Sequence, residues 1–111
     1  MSKKRKVVFK KEFEEDFEDV YKYINDDSEQ NARKFANEVK DKVEWIMNNP
    51  TSGTVESQIY SKQNWYRFKI VMKSWKIVYK ATKNILVFLN VNHCLLLVLL
   101  FYGYQSKVRL N

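Results

Sequence analysis

From Trp65 to Ala81 the chain alternates almost residue by residue, reading WYRFKIVMKSWKIVYKA. Phe68, Ile70 and Met72 share one parity, with Arg67, Lys69 and Lys73 on the other. After Ser74 the pattern restarts, with Ile77 and Tyr79 set against Lys76 and Lys80. Side chains on a strand point to opposite faces with period two. The stretch therefore predicts a β-hairpin with one apolar and one cationic face, over about 65–72 and 75–81. ATKN at Ala81–Asn84 turns the chain into a third strand over about 85–92.

Upstream the period changes. Lys6 to Phe9 reads as a short first strand. Phe13, Phe17, Val20, Tyr21 and Ile24 then recur at helical spacing, which predicts an amphipathic helix over 11–26. Asp27 or Ser28 supplies the next N-cap, with Gln30 as a capping-box partner for Asp27. A second helix runs to about Asn48, placing Ala32, Phe35, Ala36, Val39, Val43, Ile46 and Met47 on one face before Pro50 and the loop Thr51–Gly53. So short a connection makes the helices an antiparallel hairpin. The predicted fold is α+β, in the order β-α-α-β-β-β, with the helical hairpin covering one face of an antiparallel sheet. The cations Arg67, Lys69, Lys76 and Lys80 are expected on the opposite, open face.

Composition narrows the class. A hydrophobic fraction of 45% and an aromatic fraction of 15% in 111 residues suit one small folded domain. One cysteine (Cys94) and one histidine (His93) allow neither a disulfide framework nor a zinc ligand set, so no metal or cofactor is expected. The opening MSKKRKVVFKKEF is basic but has no apolar stretch of useful length, so it is not expected to act as a secretory signal, and the single cysteine suits a reducing compartment. The 13 acidic residues all lie between Glu12 and Glu56, and none occurs in residues 57–111. Such asymmetry points the second half toward a polyanionic partner, either nucleic acid or an acidic protein segment.

Within that half, Arg67, Lys69, Lys73, Lys76 and Lys80 are the candidate nucleic-acid contacts, Arg offering a bidentate fork and Lys a point charge for phosphate. Trp65, Tyr66 and Trp75 at the hairpin ends could stack bases or close the edges of the core, the latter being the expected role for at least Tyr66. His93, ending the last strand, is either a histidine held by hydrogen bonds or a general acid or base. Cys94 reads as a small core residue. The acidic run Glu12–Asp19 reads as a solvated helix face.

The order and spacing of these pieces resemble the RelE/ParE superfamily, the toxins of bacterial type II toxin–antitoxin pairs. The resemblance rests on YKYINDDSEQNARKF across the helical hairpin, NNPTSG after it, WYRFKI on the next strand and SWKIVYKATKNILVFLNVNH over the last two, and it covers residues 7–93. It implies a small cytoplasmic toxin that blocks DNA gyrase, as ParE-like members do without being enzymes, or cleaves ribosome-bound mRNA, as RelE-like endoribonucleases do. The helical hairpin is closer to the ParE and plasmid-stabilisation branch. A cognate antitoxin is the implied partner. For a nuclease, the resemblance assigns phosphate binding and polarisation to Arg67, Lys69 and Lys76 and proton transfer to His93. Lys76 stands where many RelE-like members carry an arginine. A different class of function, a non-toxic basic RNA- or DNA-binding module on the same fold, stays open beside the toxin.

The chain departs from the family after His93, where CLLLVLLFYGYQSKVRLN follows. The apolar run Cys94–Tyr102 is too short to span a bilayer. Residues 1–93 are expected to form the toxin domain and 94–111 an atypical tail, which reads as a terminal strand or helix on the core, a patch for the antitoxin or a second copy, or an altered gene end; its uncovered apolar run 94–102 predicts self-association of the isolated protein.

Overall fold

Two helices, joined by one residue, lie against one face of a mixed sheet. The computed structural model describes residues 5–57, 59 and 62–94. In chain order they form β1 (Lys6–Phe9), α1 (Lys11–Asp27), α2 (Glu29–Asn48), β2 (Thr54–Val55), β3 (Tyr66–Val71), β4 (Trp75–Ala81) and β5 (Ile85–His93). The sheet has five strands in the order β1-β5-β4-β3-β2. Every neighbouring pair is antiparallel except β1 and β5, which run parallel. A parallel pair needs a long crossover, and the helical hairpin contributes to it. β2 is an addition to the expected order, since two residues are too few to carry a period. The expected boundary after residue 93 and the self-association of 94–102 lie outside the described residues, Cys94 excepted. No helix among the described residues is long and apolar enough to cross a membrane.

Local chemistry fixes the helix ends. Ser28 is the N-cap of α2, its hydroxyl accepting the Asn31 backbone N–H at 3.1 Å. At the other end two asparagine side chains take up final carbonyls, Asn48 donating to Glu44 O and Asn49 to Trp45 O. The buried stripe of α1 is Phe13 and Val20, and that of α2 is Ala32, Phe35, Val39 and Ile46. Met47, expected on this face, is instead exposed. From the sheet, Val71, Ile77, Tyr79, Leu86, Phe88 and Val91 meet the two stripes in one core. Phe9 stacks on Phe88 at 4.7 Å between ring centroids, tying β1 into that layer.

Each helix also turns a carboxylate toward the sheet. Glu38 Oε2 accepts the Met72 N–H at the β3–β4 turn, where Met72 and Lys73 both adopt positive φ. Asp16 Oδ2 accepts the Val91 N–H at 3.1 Å. Strand β1 stops opposite Phe88, so it offers no partner at Val91, and the helix carboxylate occupies that position. The acidic face of α1 is thus not wholly solvated, as the sequence suggested.

Burial raises the Asp16 pKa above its ordinary 3.8, against the lowering effect of the Val91 hydrogen bond, while Asp19, Glu15 and Glu12 add to the rise. The folded state therefore holds this proton more tightly than the unfolded chain. Stability from this group is greatest with the carboxyl protonated and declines as pH rises from about 3.8 through the raised folded value. Asp16→Asn keeps an acceptor for Val91 and cannot ionise. Urea titrations across that range should show the variant gaining on the parent as pH increases. A constant difference at every pH would mean that Asp16 titrates alike in both states.

Candidate functional site

Cross-strand pairing decides which face each cation occupies, because directly opposed residues share a face. Arg67 is opposite Tyr79, and Lys69 is opposite Ile77. Tyr79 and Ile77 are fully buried in the helix-side core, so Arg67 and Lys69 lie on the helix side. Lys76 and Lys80 lie on the other face, opposed by Ile70 and Tyr66. The expectation of one cationic face holding Arg67, Lys69, Lys76 and Lys80 is therefore corrected. In β3 both parities carry apolar side chains, and the parity with the larger ones, Phe68 and Ile70, turns away from the helices. The helix-side cations reach out at the margin of the core. Lys69 Nζ lies 4.0 Å from the centroid of the Trp45 ring on α2. Arg67 donates from its Nη1 to Gly53 O at 2.8 Å, and its Nε is buried without a hydrogen bond among the described residues. Lys73 is in the exposed β3–β4 turn, and Lys80 Nζ lies over Trp65 and Tyr66 at 5.2 and 5.6 Å.

Arg67 and Tyr79 frame a tight contact. The Tyr79 phenol lies against the Gly53 backbone, and a Cβ at Gly53 would collide with its hydroxyl and come within 3.2 Å of Phe68 O. Burial pushes the phenol pKa up, opposed by Arg67 and the Gly53 backbone. Gly53→Ala should destabilise the fold by about 1–3 kcal/mol, the usual range for overpacking. Tyr79→Phe removes the colliding oxygen, so adding it to Gly53→Ala should recover part of the loss in denaturant titrations. Strict additivity of the two changes would place the strain elsewhere.

The most enclosed polar pair lies on the open face. Lys76 Nζ meets Glu56 Oε1 at 2.7 Å, with the two side chains only 10% and 4% exposed. The Glu56 N–H donates to Tyr66 O at 2.8 Å, holding the carboxylate beside β3. The Phe68 ring lies 4.4 Å from the same ammonium. Asn92 is opposite Lys76 on β5 and donates to Asn90 at 3.0 Å. A β-bulge between Val78 and Tyr79 leaves Leu89 without an opposite residue in the register. Phe88 and Val91, an odd number of residues apart, can thus both face the core while Asn90 and Asn92 face the other way. Sequence reasoning missed Glu56. It is an isolated acid in a polar loop, and its role arises only when β2 pairs with β3.

His93 takes a different position. It is opposite Trp75 on the helix side, with ring centroids 4.6 Å apart in an edge-on arrangement. Trp75 in turn meets Phe35 and Tyr23. Arg67, Lys76 and His93 therefore do not converge on one point. Lys76 is on one face, and the other two are well separated on the opposite face. Cys94 follows, its N–H donating to Ser74 O; burial raises its thiol pKa while Lys76 lowers it. No group of three metal-ligating side chains occurs among the described residues.

Comparison with known proteins gives the same fold. The family described as "ParE toxin of type II toxin-antitoxin system, parDE" matches residues 7–94. The chromosomal ParDE TA system from P. aeruginosa is similar at 12% identity, with 81% of this chain and 96% of that chain covered and a TM-score of 0.61. The E. coli DinJ-YafQ toxin-antitoxin complex is similar at 18% identity, with 82% and 93% covered and a TM-score of 0.58. YafQ from E. coli strain BL21(DE3) is similar at 21% identity, with 84% and 97% covered and a TM-score of 0.57. At these identities the solved structures speak to fold. No curated protein matches the chain.

Proposed function

The chain belongs to the ParE toxin family of type II toxin–antitoxin systems, and from that premise we propose that it arrests growth by binding and blocking DNA gyrase rather than by cutting RNA. One observation carries this reading: the residues that a nuclease of this superfamily would use are apart. Cleavage at a ribose 2′-OH needs a cation and a proton-transfer group within hydrogen-bond reach of the same reacting atoms. Lys76 faces away from the helices with its ammonium held by Glu56, whereas Arg67 and His93 are on the helix side. A toxin that acts by occupying a protein target needs no such convergence.

The partner that neutralises it is a cognate antitoxin, by analogy with the DinJ-YafQ and ParDE pairs. An acidic antitoxin segment suits residues 57–111, which contain Lys and Arg but no Asp or Glu. Family membership favours a toxin over the non-toxic nucleic-acid-binding module.

One observation favours RNA cleavage as a second reading. The buried Glu56–Lys76 pair puts a carboxylate and a cation together on the open face, and such a pair could take a proton and hold a phosphate. Induced expression with parallel readouts separates the two. Gyrase blocking should relax plasmid supercoiling before protein synthesis fails, with transcripts intact by primer extension. Early translational arrest with cut transcripts would replace it with the second reading. Unimpaired growth would favour the non-toxic module.

A further inference from the structure

Tyr66 and Lys80 are directly opposed on β3 and β4, and the Lys80 ammonium lies 5.2 and 5.6 Å from the centroids of the Trp65 and Tyr66 rings. Both distances are within reach of a cation–π contact. All three side chains are half-buried, and neither ring belongs to the helix-side core, so Tyr66 does not close its edge as the sequence suggested. Two aromatic rings thus share one ammonium at the end of the sheet where β3 begins and β4 finishes.

Further cations gather at the same end. Lys80 is opposite Val87, and Lys6 is opposite Ile85, two residues earlier on β5. Alternation therefore puts the exposed Lys6 on the same face as Lys80. Arg5 donates from Nε to Thr82 O at 2.7 Å, which holds it at the β4–β5 turn, where Lys83 is exposed. The acidic residues belong to other elements: all but Glu56 are on the two helices, which pack on the opposite face. Glu56 commits its carboxylate to Lys76 at 2.7 Å. Four residues along β4 separate Lys80 from that pair, about 13 Å, and β5 runs about 25 Å from this end to His93.

Rings set among cations suit one class of polyanion better than others. An acidic peptide would use the charges and leave the rings without a role. A duplex keeps its bases stacked inside and meets such a surface through its phosphates alone. A single strand uses both, its phosphates on the cations and its unpaired bases on the rings. From β4 to β1 is two strand spacings, about 10 Å, so one short stretch of backbone can reach Lys80 and Lys6 together. We propose that Trp65, Tyr66 and Lys80, with Arg5, Lys6 and Lys83, form a binding site for single-stranded nucleic acid, apart from the Glu56–Lys76 pair and from His93. The site does not depend on which target the toxin inhibits.

The test uses the purified full-length protein with short fluorescein-labelled oligo-dT and oligo-U, so that a DNA and an RNA source are both offered. Anisotropy at low salt should show binding of at least one, weakened about tenfold or more by Trp65→Leu. Lys83→Gln should lower the slope of log affinity against log salt by about 0.7, while the same charge change at the exposed Lys40 on α2 leaves it unaltered. Because Lys83 is exposed, that comparison decides even if Trp65→Leu does not fold. Several results would overturn the proposal: no binding of either oligonucleotide, a folded Trp65→Leu that binds like the parent, or equal slopes for Lys83→Gln and Lys40→Gln. So would a blunt duplex that binds as tightly, or displacement by poly-glutamate as readily as by unlabelled oligonucleotide. The last would assign the site to an acidic protein segment.

Discussion

Removing the carboxylate of Glu56 should cost this small domain roughly 3–5 kcal/mol, the range seen when one partner of a buried ion pair is deleted. The pair is almost wholly enclosed, and its ammonium lies on a strand whose next three residues, Ile77, Val78 and Tyr79, are all buried. In Glu56→Ala, Lys76 would retain the Phe68 ring but lose its carboxylate counter-charge at 2.7 Å. A cation–π contact does not offset that loss. Replacing both partners together, Glu56→Leu with Lys76→Met, removes two charges and leaves none unpaired, so stability should return to near the parent value. Urea denaturation of the parent, Glu56→Leu, Lys76→Met and the double replacement gives the coupling directly. If Glu56→Ala is as stable as the parent, the pair is not buried in solution. By the same reasoning Lys76→Ala, which leaves the Glu56 carboxylate without its ammonium, should also destabilise the fold. A loss of toxicity in that variant is informative only beside the double replacement, which removes the cation and keeps the fold.

Phe35→Ala should be comparably severe, at roughly 3–5 kcal/mol. Phe35 has no exposed surface, stacks on Phe17 at 5.6 Å and meets Trp75 edge-on at 6.2 Å. It joins α1, α2 and the sheet at one point, so neighbours on three elements would have to move to fill the cavity. Because Trp75 also carries His93, the loss should reach the end of β5. Equilibrium denaturation followed by tryptophan fluorescence measures both the cost and the altered surroundings of Trp75. A change below about 1 kcal/mol, far short of the usual aromatic truncation, would mean that the face of α2 bearing Phe35 does not meet the sheet.

The elements themselves were legible because their periods are long and clean. Helical spacing placed Phe13 and Val20, and Phe35, Val39 and Ile46, on the buried stripes they occupy. The hairpin appeared from alternation alone, although alternation could not say which parity faces the helices. In β3, Phe68 and Ile70 outweigh Val71 in apolar content, yet only Val71 of the three is fully buried. Pairing with β4 decides that question, and pairing is a long-range fact. Two further features share this origin. The bulge that puts Phe88 and Val91 on one face breaks the period within β5, and the inward turn of Asp16 follows from where β1 ends. As for the candidate site, Lys76 and His93 stood out by residue type, but their placement on opposite faces did not. Glu56 was not singled out, because an isolated loop acid acquires a role only through the partner that folding brings to it.

A toxin that blocks gyrase and a toxin that cuts RNA differ most plainly in purified reactions. The purified chain, freed of antitoxin, can be added in parallel to gyrase with relaxed plasmid and to ribosomes programmed with a defined mRNA. The expected result is that supercoiling falls in proportion to the toxin-to-gyrase ratio while primer extension finds the mRNA uncut. Codon-positioned cleavage of the ribosome-bound mRNA, with gyrase fully active, would contradict the account.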